Sequence, residues 1–345
     1  MNWKEREGTV HGTGITMSLQ LFDLRKKESQ QEFMHSWPNA QVDECMRWMD
    51  QMVAFAEIRL WQEAHNSALE CLEWARCTLD KDDPALCVIE YNEVAMRILN
   101  HLEDATVTNI KWMHKHCCTV LGTMHSCSQC CLAAVGYVYW NKHGDSDKAI
   151  KCYSTCLENR LKMAQSCTYE SVVWCFEQLI DLLSETHRWK EAKRLISRAT
   201  DFIESMENVN LEHLLNLSTK RASIFLKQQQ FNLAMDVLES AIHEARWSPG
   251  DNQKMKILLT VNLGIVCIHA GKSADAKTHF LHAVDLLQAT PWSNDMNLIL
   301  AVLSLVKAFD CLEENFCTAY LAEVYEPLFR KTLGRNHPFV RELLN

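Results

Sequence analysis

One short pattern returns at a nearly constant distance along the chain, and this repetition limits what the sequence can fold into. In the pattern, a reference alanine is followed four residues later by an apolar residue and seven residues later by a small one, so all three lie on one helical face. Clear copies start at Ala192, Ala234 and Ala276, at steps of 42 residues. Two more start at Ala149 and, two periods earlier, at Ala64. The chain is therefore predicted to consist of similar units in succession.

Two weaker copies complete the series. Near residues 105–112 the period fits but the motif is missing. The last copy has Phe316 and Ala319, but Glu323 stands where a large apolar residue is expected. Because an apolar-periodic stretch precedes the copies, each unit is predicted to be a pair of helices. The sequence thus indicates about seven helix pairs.

Small and aromatic residues at fixed positions indicate how the two helices of a unit meet. We expect the small residues of the pattern to let the helices approach closely, and the aromatic three residues before the reference residue to fill the turn. A lone helix pair buries too little apolar area to offset its ordering entropy, so the units must stack. The turn aromatics are Trp61, Trp189, Phe231 and Phe316, and further tryptophans predicted in the core are Trp48, Trp112, Trp140 and Trp174.

Composition agrees with an all-α chain and narrows the function classes. Only 10 Gly and 6 Pro occur in 345 residues, while good helix formers are plentiful. The net charge of −9 and the lack of a long basic run argue against nucleic acid. The polar N-terminus and the lack of a long apolar run predict no membrane association and a cytoplasmic, or else nuclear, protein. In that setting the 16 cysteines are predicted to be free thiols that pack as small apolar residues.

The motifs resemble those of the tetratricopeptide repeat superfamily. "LAAVGYVYW" with "AIKCYSTC", and "VNLGIVCIHAG" with "ADAKTHFLHA", are similar to its Leu-Gly, aromatic and Ala-x3-Phe-x2-Ala pattern. The 42-residue period is similar to that of kinesin light chain repeats. The stretch "LGRNHPFV" is similar to the ending of those repeats and to the C-terminal helical region of SET-and-MYND methyltransferases, although nothing in the sequence resembles a SET domain. The resemblance implies a right-handed superhelical solenoid of antiparallel helix pairs over residues 38–345, preceded by an N-terminal cap or flexible segment over residues 1–37.

The resemblance also implies a concave groove lined by the first helix of each unit. The positions that face inward by this comparison are Asn262 and Ile265, Lys220 and Ser223, Gln178 and Asp181, and Ala134 and Tyr137. An Asn just before Leu-Gly commonly contacts a peptide backbone twice in this superfamily, which favours Asn262, since its side chain both donates and accepts. The other interpretation of Asn262 is a solvated polar residue. Glu177, Asp181 and Glu185 suggest an acidic groove, but we interpret them as a solvated charged face.

The stretch His114 to Cys131 contains residue types that bind metals. Cys127 and Cys130 could share a helix face, with Cys117, Cys118 or His114 contributed by the neighbouring helix across a turn at Gly122. Without a second paired motif, buried or scattered thiols are the favoured interpretation, and no metal or cofactor is predicted. Phosphate loops, nucleophile elbows and zinc-protease motifs are missing from the sequence, so no catalytic residues and no enzyme are predicted.

Two functions remain as predictions. The preferred one is a scaffold or adaptor that binds a peptide, helix or disordered segment of a protein partner in its groove. The alternative is a regulatory or targeting subunit that docks by its convex face into a larger complex, with residues 1–37 filling its own groove. A metal-dependent enzyme built around His114 to Cys131 is a third, weaker interpretation. The sequence does not identify the partner.

Overall fold

The fold is all-α, as predicted. The computed structural model describes residues 22, 24–81, 83–100, 107–163, 168–206, 209–247, 252–291, 296–335 and 337–344. Over these ranges the chain forms sixteen helices and no strand. In order, they are α1 (Lys27–Phe33), α2 (Asn39–Glu57), α3 (Trp61–Thr78), α4 (Pro84–Leu99), α5 (Val107–Val120), α6 (Ser126–His143), α7 (Ser146–Lys162), α8 (Tyr169–Glu185), α9 (Trp189–Glu204), α10 (Leu211–Lys227), α11 (Phe231–Trp247), α12 (Gln253–His269), α13 (Ser273–Ala289), α14 (Met296–Cys311), α15 (Asn315–Leu333) and α16 (Pro338–Leu344).

The helices from α2 to α15 follow one another as seven pairs, in agreement with the predicted number of units, and α1 and α16 flank them. The chain divides into two compact units, with the boundary inside α8. The N-terminal unit lies within Met17–Leu182 and the C-terminal unit within Leu183–Asn345. The predicted boundary between residues 37 and 38 stays a prediction. In the part of the chain that the structure describes, no helix combines the length and apolar character needed to cross a membrane.

The same turn joins the two helices of five pairs. Two positions before the second helix, the backbone is left-handed, and the N–H that follows donates to a carbonyl five residues back. In the C-terminal unit, for example, the N–H of Gln230 donates to the carbonyl of Phe225 at 2.9 Å. This is the hydrogen bond of a Schellman motif, which satisfies carbonyls left open at a helix end. The left-handed residues are Arg59, His187, Gln229, Gly271 and Glu313, with φ between 58° and 75°.

In two pairs a glycine of the first helix allows close contact with the large residue of the repeat motif on the second helix. A Cβ on Gly264 of α12 would lie 2.5 Å from Cε1 of Phe280, the large residue of the copy in α13. In the N-terminal unit, a Cβ on Gly136 of α6 would lie 3.0 Å from Cε2 of Tyr153 in α7. The reference alanines of the five clear copies, Ala64, Ala149, Ala192, Ala234 and Ala276, are all 0% exposed.

In both weak copies the reference position differs from the one that the 42-residue period gives. In the clear copies the reference residue is the fourth of the second helix, and that position holds Ile110 in α5 and Thr318 in α15. The prediction at residues 105–112 is too early, because seven residues separate α4 from α5 where three separate α12 from α13. Ala319 is exposed and Phe316 is 83% exposed, so Phe316 does not fill the turn. The buried face of α15 consists of Leu321, Tyr325, Phe329 and Leu333.

One tryptophan predicted in the core is exposed. Trp112 has 61% of its surface accessible and stacks on His116 with ring centroids 5.2 Å apart. The core face of α5 instead holds Ile110, Met113 and Cys117, which leaves Trp112 on the opposite side of the helix. The remaining tryptophans of the prediction, Trp48, Trp61, Trp140, Trp174 and Trp189, are half-buried.

Candidate interaction site

A short segment before the first helix pair, consisting of residues 22 and 24–37, is held against the rest of the N-terminal unit as a peptide would be. The main-chain N–H of Phe22 donates to Oδ1 of Asn92 at 3.0 Å. The side-chain Nδ2 of Asn92 donates back to the carbonyl of Phe22 at 2.9 Å. Asn92 lies in the middle of α4 and is only 2% exposed, so both bonds are shielded from water. One amide side chain thus satisfies both main-chain groups of one residue.

Asn92 occupies the same helix position as Asn262, the residue that the sequence favours for backbone recognition. Each asparagine stands seven residues before the last residue of a first helix, which is Leu99 in α4 and His269 in α12. Sequence reasoning missed Asn92 because the longer connection between α4 and α5 moves it out of register with the 42-residue period. Counting back from the predicted end of the helix, instead of from the repeat motif, would have found it.

Aromatic and aliphatic side chains anchor the same segment. The ring of Phe22 meets the rings of Phe33 in α1 and His125 at centroid distances of 5.8 and 5.6 Å. Leu24 is 0% exposed, and Met34 is 4% exposed. Burial of an aromatic or aliphatic side chain contributes about 1.5–3 kcal/mol each. The segment is therefore held chiefly by apolar contact and placed by the Asn92 bonds.

Histidine 125 links the segment to α6 through both ring nitrogens. Its Nδ1 accepts from the N–H of Cys127 at 3.1 Å and so caps α6. Because Nδ1 accepts, Nε2 carries the proton and donates to Oε1 of Glu32, which lies 3.1 Å away. The capping bond fixes the tautomer, and the tautomer fixes the bond to α1.

Polar contacts secure both ends of the segment. Near the start of the segment, Arg25 forms an ion pair with Asp50 of α2 at 3.3 Å. The pair is exposed, and exposed ion pairs contribute little to stability. At its end, Nε1 of Trp37 donates to Oδ2 of Asp83 at 3.1 Å, and its ring packs on Trp74 with centroids 6.2 Å apart. The described part of residues 1–37 is thus docked on the N-terminal unit at several points.

Four predicted groove residues lie on neighbouring first helices of the C-terminal unit. Lys220 and Ser223 belong to α10, Asn262 and Ile265 belong to α12, and these two helices contact each other. Asn262 and Ile265 are 1% exposed, Ser223 is 4% exposed and Lys220 is 9% exposed. Asn262 is therefore buried and is not a solvated surface residue. Its role in binding stays a prediction.

The other predicted groove residues lie in the N-terminal unit and are also buried. Ala134 and Tyr137 of α6 are 0% and 8% exposed, and burial raises the pKa of the Tyr137 phenol. Gln178 and Asp181 of α8 are 5% and 9% exposed. The interpretation of a solvated charged face is wrong for Asp181. In the C-terminal unit, Glu185 is half-buried and accepts from Lys227.

The cysteines flagged in the sequence come together, though not in the predicted combination. The Sγ atoms of Cys117, Cys127 and Cys131 lie within 4.8 Å of one another, and all three residues are buried. Cys117 contributes its thiol from the neighbouring helix α5, as predicted. On α6, however, the thiol grouped with Cys127 is that of Cys131 instead of Cys130. The Sγ of Cys130 accepts from Nη2 of the buried Arg160 at 3.4 Å. The favoured interpretation is buried or scattered thiols, and these three thiols are buried but lie close together.

The fold and the site define an all-α protein of successive helix pairs, one of which holds a segment that precedes the pairs in the chain. No family profile and no curated protein matches the chain. Among solved structures, BtubC (BKLC) from P. vanneervenii is 12% identical, with 70% of this chain and 94% of that chain covered and a TM-score of 0.47. A Rap protein complexed with competence and sporulation factor is 15% identical, with 89% and 79% covered and a TM-score of 0.46. Likenesses this weak carry no argument about this chain.

Proposed function

We propose that the protein is a non-enzymatic interaction module that binds extended segments of partner proteins along the first helices of its pairs. The observation that carries this proposal is the pair of hydrogen bonds between Asn92 and the main chain of Phe22. Main-chain recognition by an amide side chain is independent of the sequence of the bound segment, while neighbouring pockets select side chains. In the N-terminal unit this position is occupied by Phe22 of the same chain.

In the C-terminal unit we place the corresponding site at Asn262. It is the equivalent of Asn92 on α12, and Ile265, one turn further along the helix, offers an apolar contact. Lys220 and Ser223 on the adjacent α10 add a positive charge and a hydroxyl group. This combination suits an extended segment that carries a carboxylate close to an exposed stretch of backbone.

The same contacts favour a second candidate, a regulatory subunit whose N-terminal unit is closed by its own segment. Phe22, Leu24 and Phe33 are buried against the unit, and Asn92 is engaged. A partner with an aromatic residue in an extended segment would compete for this position. Binding would then release residues 22–37 and make them available to other components of a complex.

The test for the C-terminal site replaces Asn262 and Lys220 together. The double variant N262A/K220A should lose proteins that co-purify with the wild type in affinity purification followed by mass spectrometry. The control is N232A/K190A, which removes an Asn and a Lys that are exposed on the second helices α11 and α9. Because Asn262 and Lys220 are buried, the melting temperature of each variant separates loss of the site from loss of the fold. Equal partner recovery from wild type and N262A/K220A would contradict the assignment.

The test for the N-terminal site uses the protein's own segment as a probe. A labelled peptide of residues 17–37 should bind in trans to a chain that lacks residues 1–37, as read by fluorescence anisotropy. Peptide carrying F22A, or protein carrying N92A, should bind at least tenfold more weakly, since lost buried hydrogen bonds and apolar area each cost about 1.4 kcal/mol or more. Equal affinity for all combinations would contradict a specific site.

A further inference from the structure

Three buried thiols of α5 and α6 form one group in the N-terminal unit, and a fourth, from α4, contacts it. Cys117 in α5 lies at the centre, with its Sγ 3.3 Å from that of Cys131 in α6 and 3.4 Å from that of Cys87 in α4. Cys127 of α6 completes the group, within 4.8 Å of both Cys117 and Cys131. None of the four residues is more than 2% exposed.

The spacing matches the donor set of a thiophilic cation. A zinc ion bound by thiolates at about 2.3 Å in a tetrahedron holds its sulfur atoms about 3.8 Å apart. The separations of 3.3 and 3.4 Å from Cys117 reach this value with shifts of a few tenths of an ångström. Cys87 has to move further toward the other thiols, because its Sγ lies outside the group whose sulfur atoms are all within 4.8 Å of one another. We propose that Cys87, Cys117, Cys127 and Cys131 bind one divalent thiophilic cation, with Zn²⁺ as the best match, and that this ion ties α4, α5 and α6 together.

Metal binding would change the protonation state of the group. Burial raises the pKa of the Cys127 and Cys131 thiols, which keeps them protonated while no cation is present. Each thiol that ligates the ion would lose its proton to solvent, and no electrons are transferred. Cys127 is the second residue of α6, where the helix N-terminus favours a thiolate. Burial also raises the pKa of the Tyr91 phenol in α4.

One thiol of the group lies beside a surface cleft. Cys87 lines a cleft of about 640 Å³ formed by α3, α4 and α5. Glu90 and His116 also line this cleft, and their side chains approach each other at 3.9 Å.

A second buried pair of cysteines in the same unit provides a matched control. Cys156 of α7 and Cys175 of α8 are both 0% exposed, with their Sγ atoms 3.5 Å apart. In the residues that the structure describes, this pair belongs to no group of three metal-binding side chains. Cys156 and Cys117 therefore differ in the number of thiols around them and not in burial.

The experiment loads the reduced, metal-free full chain with Co²⁺ or Zn²⁺ alone. Wild type should bind one Co²⁺ with the sulfur-to-cobalt charge-transfer absorption and the intense ligand-field bands of tetrahedral thiolate coordination. C117A and C131A should lose these bands, and C87A should retain binding with altered bands. C156A should behave as wild type. Zn²⁺ should displace the cobalt and raise the melting temperature of wild type and C156A, with no shift for C117A.

Two results would overturn the proposal. The first is reduced wild type that takes up no stoichiometric Co²⁺ or Zn²⁺, which would leave the thiols as apolar packing. The second is cobalt binding that survives in C117A or disappears equally in C156A. The melting temperature of each variant without metal separates loss of the site from loss of the fold.

Discussion

Asn92 and Phe22 stand 70 residues apart in the chain and form a closed pair of hydrogen bonds at 3.0 and 2.9 Å. Replacing Asn92 by Ala leaves the buried N–H and C=O of Phe22 without these partners, which costs about 1–3 kcal/mol. Since each 1.4 kcal/mol is tenfold in an equilibrium, the segment should open about 5- to 150-fold more often. Trypsin should then cleave faster after Arg25, Lys26 and Lys27, as followed by mass spectrometry.

Asn100 provides the control for this prediction. It belongs to the C-terminal end of the same helix, and its Nδ2 donates to Gln62 at 2.9 Å, away from the segment. N100A should leave the cleavage rate near that of wild type. Equal rates for N92A and wild type would show that the asparagine does not hold the segment.

The contact between Gly264 and Phe280 leaves no room for a methyl group. A Cβ there would lie 2.5 Å from a ring that is 0% exposed, so Gly264→Ala should destabilise the protein by about 1–3 kcal/mol. Gly136→Ala should cost less, because its nearest ring atom is 3.0 Å away. Urea denaturation measures both changes. Adding Phe280→Leu should partly rescue Gly264→Ala, and a strictly additive double variant would argue against the clash.

The left-handed turn residue Gln229 is exposed and has φ of 59°. Gln229→Gly should stabilise the protein by about 0.5–1 kcal/mol. Glycine removes the steric cost of the left-handed backbone, and the greater entropy of glycine in the unfolded chain offsets part of this gain. The neighbouring Gln228 has φ of −83°, so Gln228→Gly should only destabilise. Thermal or urea unfolding of the two variants tests the difference in sign. Two changes of the same sign would refute the explanation.

Arg160 is 1% exposed and connects α7 to its surroundings through both terminal nitrogens. Nη1 donates to the carbonyl of Ser171 at 2.7 Å, and Nη2 donates to Sγ of Cys130 at 3.4 Å. Arg160→Ala should cost about 2–5 kcal/mol, since it leaves a cavity and removes both bonds. Arg160→Met should cost less because it fills most of the volume. Calorimetry compares the two, and equal losses would assign the whole effect to the hydrogen bonds.

The sequence predicts those parts of the fold that depend on local periodicity. The buried faces of α9, α11 and α13 follow from the spacing of Ala192, Ala234 and Ala276, because one helical phase persists through each motif. The predicted register of α15 is wrong because the prediction places the reference alanine at Ala319, whereas the buried face of the helix includes Leu321. A small residue alone does not define a helical face.

The missed functional residues depend on contacts that no local pattern reports. Asn92 is displaced by the length of one connection, and its partner Phe22 lies in another part of the chain. Cys87 lies 30 residues before Cys117 on a different helix, so no short spacing joins it to the other thiols. Sequence periodicity places residues on a helix face, but only packing decides which faces share a site.

Asp83 divides its carboxylate between two neighbours. Oδ1 accepts from the N–H of Ala85 at 2.8 Å and caps α4, while Oδ2 accepts from Trp37. Because separate oxygens carry the two bonds, departure of the indole does not uncap the helix. Release of residues 22–37 would therefore leave α4 capped, and a probe of the surroundings of Trp37, such as its fluorescence, would report the release.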